Sequence, residues 1–449
     1  LLSQIKIAFE DSRLPYRVDV VDMKAVKPYF KELIKDEMVV FPLNHFSKVP
    51  VLRFPEFSGE WISSVFKNLI NEYRLGGNYA NSELPTNQPL IKMGNLGRGE
   101  IKLKKIEYIK ETEEIDPTDK IKYGDLFFNT RNTLDLVGKV AIWRNELPEA
   151  YYNSNLMFLQ FSNNFFMNYR LNSYQGLRTL RRIATGTTSV AAIYTKDLLK
   201  VELSIPKIEQ EQQKIASFLT EVDNKIEQLT KKKQLLADYK KGVMQQIFSQ
   251  EVCFKQDDGS NYPDWEVKNL GDLTYKVGKK NKDSLKYHLY SINNKEGFLP
   301  QSEQFDGVDS NDRGYDISLY KIIQKESFAY NPARINVGSI GFSGELNDII
   351  ISSLYVCFKA KDSLENYYLL HYLKSFDFNK SVIRNIEGGV RQYLFFENFS
   401  NIKINLPPPE EQQKIANFLT EIDTKINQVE KQLSGTKQFK SGLLQQMFV

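Results

Sequence analysis

Two stretches of this chain place guanidinium, amide and hydroxyl groups where a polyanion can be held and its edges read. In the first, Asn129, Thr130, Arg131 and Asn132 close an apolar run, and Arg178, Arg181 and Arg182 lead into Thr185, Gly186, Thr187 and Thr188. In the second, Asn331, Arg334 and Asn336 stand beside Gly338-Ser339, and Gly388-Gly389 precedes Arg391, Gln392 and Tyr393. Arg, Asn and Gln pair with base edges, whereas Arg, hydroxyls and backbone N–H groups hold phosphates. The expected chemistry is recognition of DNA rather than bond-making. Ordinary turn residues and surface arginines explain any one of these positions equally well; the recurrence of the clusters in corresponding places favours DNA. Lys231-Lys232-Lys233 reads as a solvated helix face, with phosphate contact as the alternative.

Catalytic patterns are absent or only apparent. Asn331-Pro332-Ala333-Arg334 approaches the Asn-Pro-Pro-aromatic motif of adenine methyltransferases but lacks its second proline and its aromatic ring. The run Gly338-Ser339-Ile340-Gly341-Phe342-Ser343-Gly344 lacks dinucleotide-binding spacing and reads as a strand turn. Asp264 and Glu266-Val267-Lys268 lie too close together to span two strands as a nuclease acid cluster does. Cys253 and Cys357 are too few for a thiolate zinc site, and His45, His288 and His371 are scattered singly. With no P-loop either, the chain is expected to carry no catalytic residue, metal or cofactor of its own.

The elements that must position the clusters come in two copies. Glu211–Phe248 aligns without a gap on Glu411–Phe448, and Glu-Gln-Gln-Lys-Ile-Ala recurs at 211–216 and 411–416. Each copy reads as a long helix with apolar residues at alternating spacings of three and four. One seam is Ile215, Leu219, Val222, Ile226, Leu229, Leu236 and Val243, with Lys233 and Lys240 filling two places. The other is Ile415, Leu419, Ile422, Ile426, Val429, Leu433 and Leu443, interrupted by Thr436 and Lys440. So narrow a stripe favours a coiled-coil face; the alternative is two amphipathic helices each packed on its own domain, which usually carry a wider stripe. Before each helix lies a region of short β-branched and aromatic runs broken by Gly, Asn, Asp and Pro, which is strand-and-turn material. Short helices are expected near Phe158–Asn172 and Tyr367–Phe376. The globules vary while the helices repeat.

Bulk properties set outer limits. The 449 residues exceed one ordinary core, and the net charge of +4 neither demands nor forbids nucleic acid. No apolar run approaches the roughly 18 residues of a membrane span. Few cysteines and a start, Leu1-Leu2-Ser3-Gln4, without secretory character make the cytoplasm the expected compartment.

Val49-Pro50-Val51-Leu52-Arg53-Phe54-Pro55 through Trp61, the doubled Glu-Gln-Gln-Lys-Ile-Ala, Pro89–Asn95, Tyr123-Gly124-Asp125, Tyr330–Gly338 and Glu387–Arg391 together resemble type I restriction-modification specificity subunits. The resemblance covers about residue 47 to the end. It implies an α+β chain of two target recognition domains, each followed by a long helix, the two helices packed as an antiparallel coiled coil with pseudo-twofold symmetry. The implied divisions are recognition domains at 49–206 and 262–406, spacer helices at 207–250 and 407–449, and a linker at 251–261. It further implies a bipartite double-stranded DNA target, two modification (methyltransferase) subunits and two restriction (motor-nuclease) subunits. S-adenosylmethionine, ATP and magnesium are then expected in those partners.

Residues 1–41 stand apart. Ser12-Arg13-Leu14-Pro15-Tyr16-Arg17-Val18-Asp19-Val20-Val21-Asp22 resembles the closing piece of a minimal nucleotidyltransferase domain, without the Gly-Ser loop and paired aspartates that would complete a two-metal site. The segment reads as a remnant or truncated fusion partner, joined by a linker at 42–48, or as an unrelated helical extension. Two other functions stay open: a nucleotidyltransferase fusion whose first half lies upstream, and a coiled-coil scaffold whose globules bind protein.

Overall fold

The structure, a computed structural model, is described at residues 48–304, 309–310, 312–387 and 392–449. The nucleotidyltransferase-like reading of 1–41 and nearly all of the 42–48 linker lie outside the described residues. Contacts divide the chain into two compact units, one of residues up to Ile215 with Leu443–Val449, the other of Ala216–Gly442. Among the described residues no helix is long and apolar enough to cross a membrane.

The first unit is closed by its own ends: the strand Ile62–Val65 pairs antiparallel with Glu202–Ile205. A four-stranded antiparallel sheet follows, in the order Ile70–Leu75, Leu156–Phe161, Leu126–Asn129, Val140–Ile142. Leu126, Phe127, Phe128, Val140, Ala141 and Ile142 are fully buried, as continuous apolar runs in a covered sheet must be. Residues 158–161 are strand, not the start of the expected helix, which begins at Asn164. A short apolar run has no polar face to reveal its period, so strand and buried helix read alike there. Asn163 and Ser173 cap the helices Asn164–Asn172 and Tyr174–Ile183 by accepting from Phe166 N–H and Gly176 N–H.

The second unit repeats this plan with different residues. Glu266–Asn269 pairs with Lys403–Leu406. Its antiparallel sheet runs Thr274–Val277, Val356–Ala360, Phe328–Tyr330, Ile340–Phe342. The expected helix near Tyr367–Phe376 resolves into two, Asn366–Tyr372 and Phe376–Asn385. The second of these is capped by Ser375, as Ser173 caps its counterpart.

The long helices span Glu209–Phe248 and Pro409–Gln446. Their repeated opening is explained residue by residue. Glu211 and Glu411 accept from the indole N–H of Trp61 (3.1 Å) and Trp265 (2.8 Å). Gln212 and Gln412 donate to the carbonyls of Pro206 (3.0 Å) and Pro407 (2.9 Å). Lys214 pairs with Glu56 beside the Phe54 ring, and Lys414 with Asp257 beside Tyr262. Ile215, Ala216, Ile415 and Ala416 are buried. Five of the six repeated residues thus seat a helix on a globule in both copies, while Gln213 accepts from Asn163 and Gln413 donates to Asn417 of its own helix.

Within the second unit the helices meet directly. Ile226, Leu229 and Leu236 pack with Val429 and Leu433. Asp223, Lys233 and Lys240 pair with Lys440, Glu430 and Asp423 in turn, so the partner's number falls as the first rises. Not every seam residue is spent on the other helix: Val243, Ile415, Leu419, Ile422 and Ile426 join the globule core around Phe358 and Tyr368. The reason is geometric, since the same apolar stripe continues past the point where the helix meets its globule. His371 is buried there, its Nε2 3.2 Å from Thr420 Oγ1 and its Nδ1 3.9 Å from Asp423. Burial, reinforced by the nearby Lys240, pushes its pKa down to about 3.

Candidate nucleic-acid interface

In the first unit, residues far apart in sequence meet on one small sheet. Thr185–Gly186 pairs with Ala191–Ala192, which pairs with Arg131–Asn132. Thr185, Ala192 and Arg131 therefore stand in one row, and directly opposed residues of antiparallel strands share a face. Arg131 and Thr185 are exposed, with the small Ala192 between them. The hairpin tip Thr187, Thr188 and Ser189 is exposed and held by Thr187 N–H to Val190 O (2.8 Å) and Leu134 N–H to Thr188 O (3.1 Å). Arg178, Arg181 and Arg182 are exposed on the helix that feeds this hairpin.

Other members of the expected set turn inward. Asn129 is fully buried at a strand end, where its Oδ1 accepts from Arg131 N–H, so it shapes the turn and offers nothing to a groove. Thr130 is half-buried, and its carbonyl accepts from Ile193 N–H. Asn132 accepts from Thr133 N–H. These are local side-chain turns, a habit of Asn that sequence alone does not separate from base reading.

The second unit assembles its clusters in the same way. Leu394 N–H donates to Pro332 O (3.0 Å), the counterpart of the Ile193-to-Thr130 bond, and Glu387 and Tyr393 exchange backbone hydrogen bonds. The 331–338 turn and the Tyr393–Leu394 segment, which pairs with Glu387, are thus neighbours. Arg334, Asn336 and Gln392 are exposed; Asn331 is half-buried and accepts from Ala333 N–H. Tyr393 is half-buried and stacks on Phe395 at 5.7 Å. Arg391 lies outside the described residues. Lys231 and Lys232 are exposed on the first long helix.

Cations that the sequence reading missed complete the picture. Lys380 and Arg384 are exposed on the helix Phe376–Asn385, which occupies the place of the Arg178-bearing helix; aligning the caps Ser173 and Ser375 would have found them. In the first unit Arg98 donates to Asp135 O (2.9 Å), and Arg181 lies 3.4 Å from the Asp135 carboxylate. Arg98 is exposed as a residue, yet desolvation by the groups around its guanidinium, then repulsion from Arg181, holds its pKa below the ordinary value. Burial, then Arg98 and Lys102, does the same to Lys139. Among the described residues no His, Cys, Asp and Glu group could hold a metal.

The repeated plan has relatives. The family model described as the type I restriction modification DNA specificity domain matches residues 63–237 and again 262–435. A putative type I restriction enzyme MjaX specificity subunit from Methanocaldococcus jannaschii is 26% identical over 411 residues, covering 85% of this chain and 91% of that one. The MjaIX specificity subunit of the same organism is 25% identical over 69% of this chain and 73% of its own. The crystal structure of the type I S subunit from M. genitalium shares the fold at a TM-score of 0.56 and 16% identity, covering 89% of this chain and 99% of that one. The chain belongs to the type I restriction-modification DNA specificity family, carries its domain twice, and serves as the specificity subunit of such a system.

Proposed function

We propose that each globule reads one half of a split DNA site and that the two long helices, packed as an antiparallel coiled coil, set the distance between the halves. The observation that carries this reading is the pairing of Asp223 with Lys440 and of Lys240 with Asp423. The same two positions exchange partners between the copies, as a pseudo-twofold axis across antiparallel helices requires. Recognition domains at 49–206 and 262–406, spacer helices at 207–250 and 407–449, and a connecting segment at 251–261 follow from it. The reading residues are drawn from the exposed set: Arg131, Arg178, Arg181, Arg182, Thr185, Thr187 and Thr188 in one globule, Arg334, Asn336 and Gln392 in the other, with Arg391 beside them in sequence.

A repeated docking surface suits a pair of identical partners, here two modification subunits that bind S-adenosylmethionine and methylate adenine. Two motor-nuclease subunits, with ATP and magnesium, complete the restriction enzyme. The chain itself supplies address rather than chemistry, and the cytoplasm is its place of work.

The test is to insert one heptad at matching places in both helices, which keeps the seam facing its partner. At 1.5 Å per residue the rod grows by about 10 Å, or about three base pairs of B-DNA. The preferred gap in a selected duplex library should widen by that amount while both half-site sequences persist. Altered half-site sequences at an unchanged gap would overturn the division of labour.

A further inference from the structure

The turn that carries Arg98 is held from below with unusual completeness. Gly99, at φ +86°, donates to Val140 O (2.7 Å), and its carbonyl accepts from Asn168 Nδ2 (3.2 Å) and Arg144 Nη1 (3.0 Å). Asn172 donates to Val140 O as well (3.1 Å). Asn168 is fully buried and Asn172 nearly so, which makes this a fixed mount rather than a surface loop. On that mount Arg98 is brought to the Asp135 carbonyl, beside Arg181 and Lys139, with Lys102 close enough to repel Lys139. Against these four cations stand the carboxylates of Asp135 and of Glu100, the latter 3.0 Å from Lys102. Four cations against two acids on a rigid scaffold leave a local excess of positive charge, and such a field favours an anion.

Among the described residues, the other globule carries different groups at the same place. Gly297, at φ +75°, packs against Gly341 of the strand Ile340–Phe342, as Gly99 bridges to Ala141 of Val140–Ile142. Glu296 stands where Arg98 does, and the buried Ser339 stands where Lys139 does.

We propose that Arg98, Lys139 and Arg181 form a phosphate clamp that grips the DNA backbone beside the half-site of the first globule, whatever its sequence, with no counterpart in the second. The clamp rests on the DNA-binding reading of that globule, and supplies affinity where Arg131 and the 185–188 hairpin supply discrimination. Each neutralised phosphate adds about 0.9 to the slope of log affinity against log salt.

The experiment titrates the full-length chain with the selected bipartite duplex and with an unrelated duplex across a salt series, by fluorescence anisotropy. R98A should flatten the salt slope by about one and weaken both duplexes about fivefold at 0.15 M salt, leaving their ratio unchanged. R98A/R181A should flatten it by about two, R98K should restore it, and D135N should tighten both duplexes by removing a nearby negative charge. Arg98 sits exposed at a turn tip, so circular dichroism should report an unchanged fold. A changed ratio at constant slope would make Arg98 a base reader, and no change in either would remove it from the DNA; both overturn the clamp. If the wild-type chain binds duplexes with the expected slopes yet prefers no bipartite sequence, the half-site reading fails while the clamp stands.

Discussion

The two long helices begin with the same six residues yet are fastened to their globules differently. Glu211 is almost completely buried, and both its oxygens are used: Arg53 donates from Nε and Nη2 at 2.8 Å each, and Trp61 donates at 3.1 Å. Glu411 is equally buried and meets Trp265 and the backbone N–H of Phe254. One carboxylate is paired with a cation, and the other has hydrogen-bond donors only, so burial penalises its charged form. The repeated helix is therefore fixed by what both globules share, an indole and a proline carbonyl. The ion pair is a local addition that the repeat does not require.

The helix ends, by contrast, are fastened alike. In the first unit Phe448 packs on Trp61 (6.2 Å) and Phe166 (5.9 Å), and in the second Phe248 packs on Tyr368 (5.8 Å) and Tyr372 (5.7 Å). The largest effect expected is thus a symmetric one: F448A and F248A should each cost about 3–5 kcal/mol in urea unfolding followed by fluorescence. If only one of them destabilises the protein, the equivalence of the ends fails. The helix starts should separate next. E211Q leaves the Arg53 guanidinium, itself only 12% exposed, without its anion and should cost about 1–3 kcal/mol. E411Q keeps an acceptor for Trp265, removes a carboxylate that burial penalises and should cost less than about 1 kcal/mol. Equal losses would show that Arg53 contributes nothing specific.

The helices were legible in the sequence because their information is local: a seam of alternating spacing and a six-residue motif, each printed twice. The candidate interface was legible only as separate fragments. That Arg131 lies level with Thr185, or that Leu394 reaches back to Pro332, depends on pairing across fifty or more residues. Burial also decides what type cannot: Asn129 and Arg131 look equally suited to DNA, and one points into the core. Arg98 escaped notice because a lone arginine between glycines has no pattern; its meaning comes from Asp135, Lys139 and Arg181, which only the fold brings to it.

The smallest expected effect sharpens the contrast between the helix starts by pH. Burial raises the Glu411 pKa above its ordinary 4.5, although the Trp265 hydrogen bond pulls the other way. The folded state then holds the Glu411 proton more tightly than the unfolded chain does. Its contribution is present in full below the ordinary glutamate value and is lost as pH rises through the raised one. Measured by urea midpoints from about pH 4 to about pH 7, wild type should therefore carry a downward component that E411Q lacks. The difference between the two curves isolates this group from every other titration, including that of buried His371, whose lowered pKa tilts stability the opposite way by favouring the fold as pH rises. Parallel curves for wild type and E411Q would mean that the Glu411 carboxylate is as well satisfied as Glu211, and that the missing arginine is replaced by a partner of equal strength.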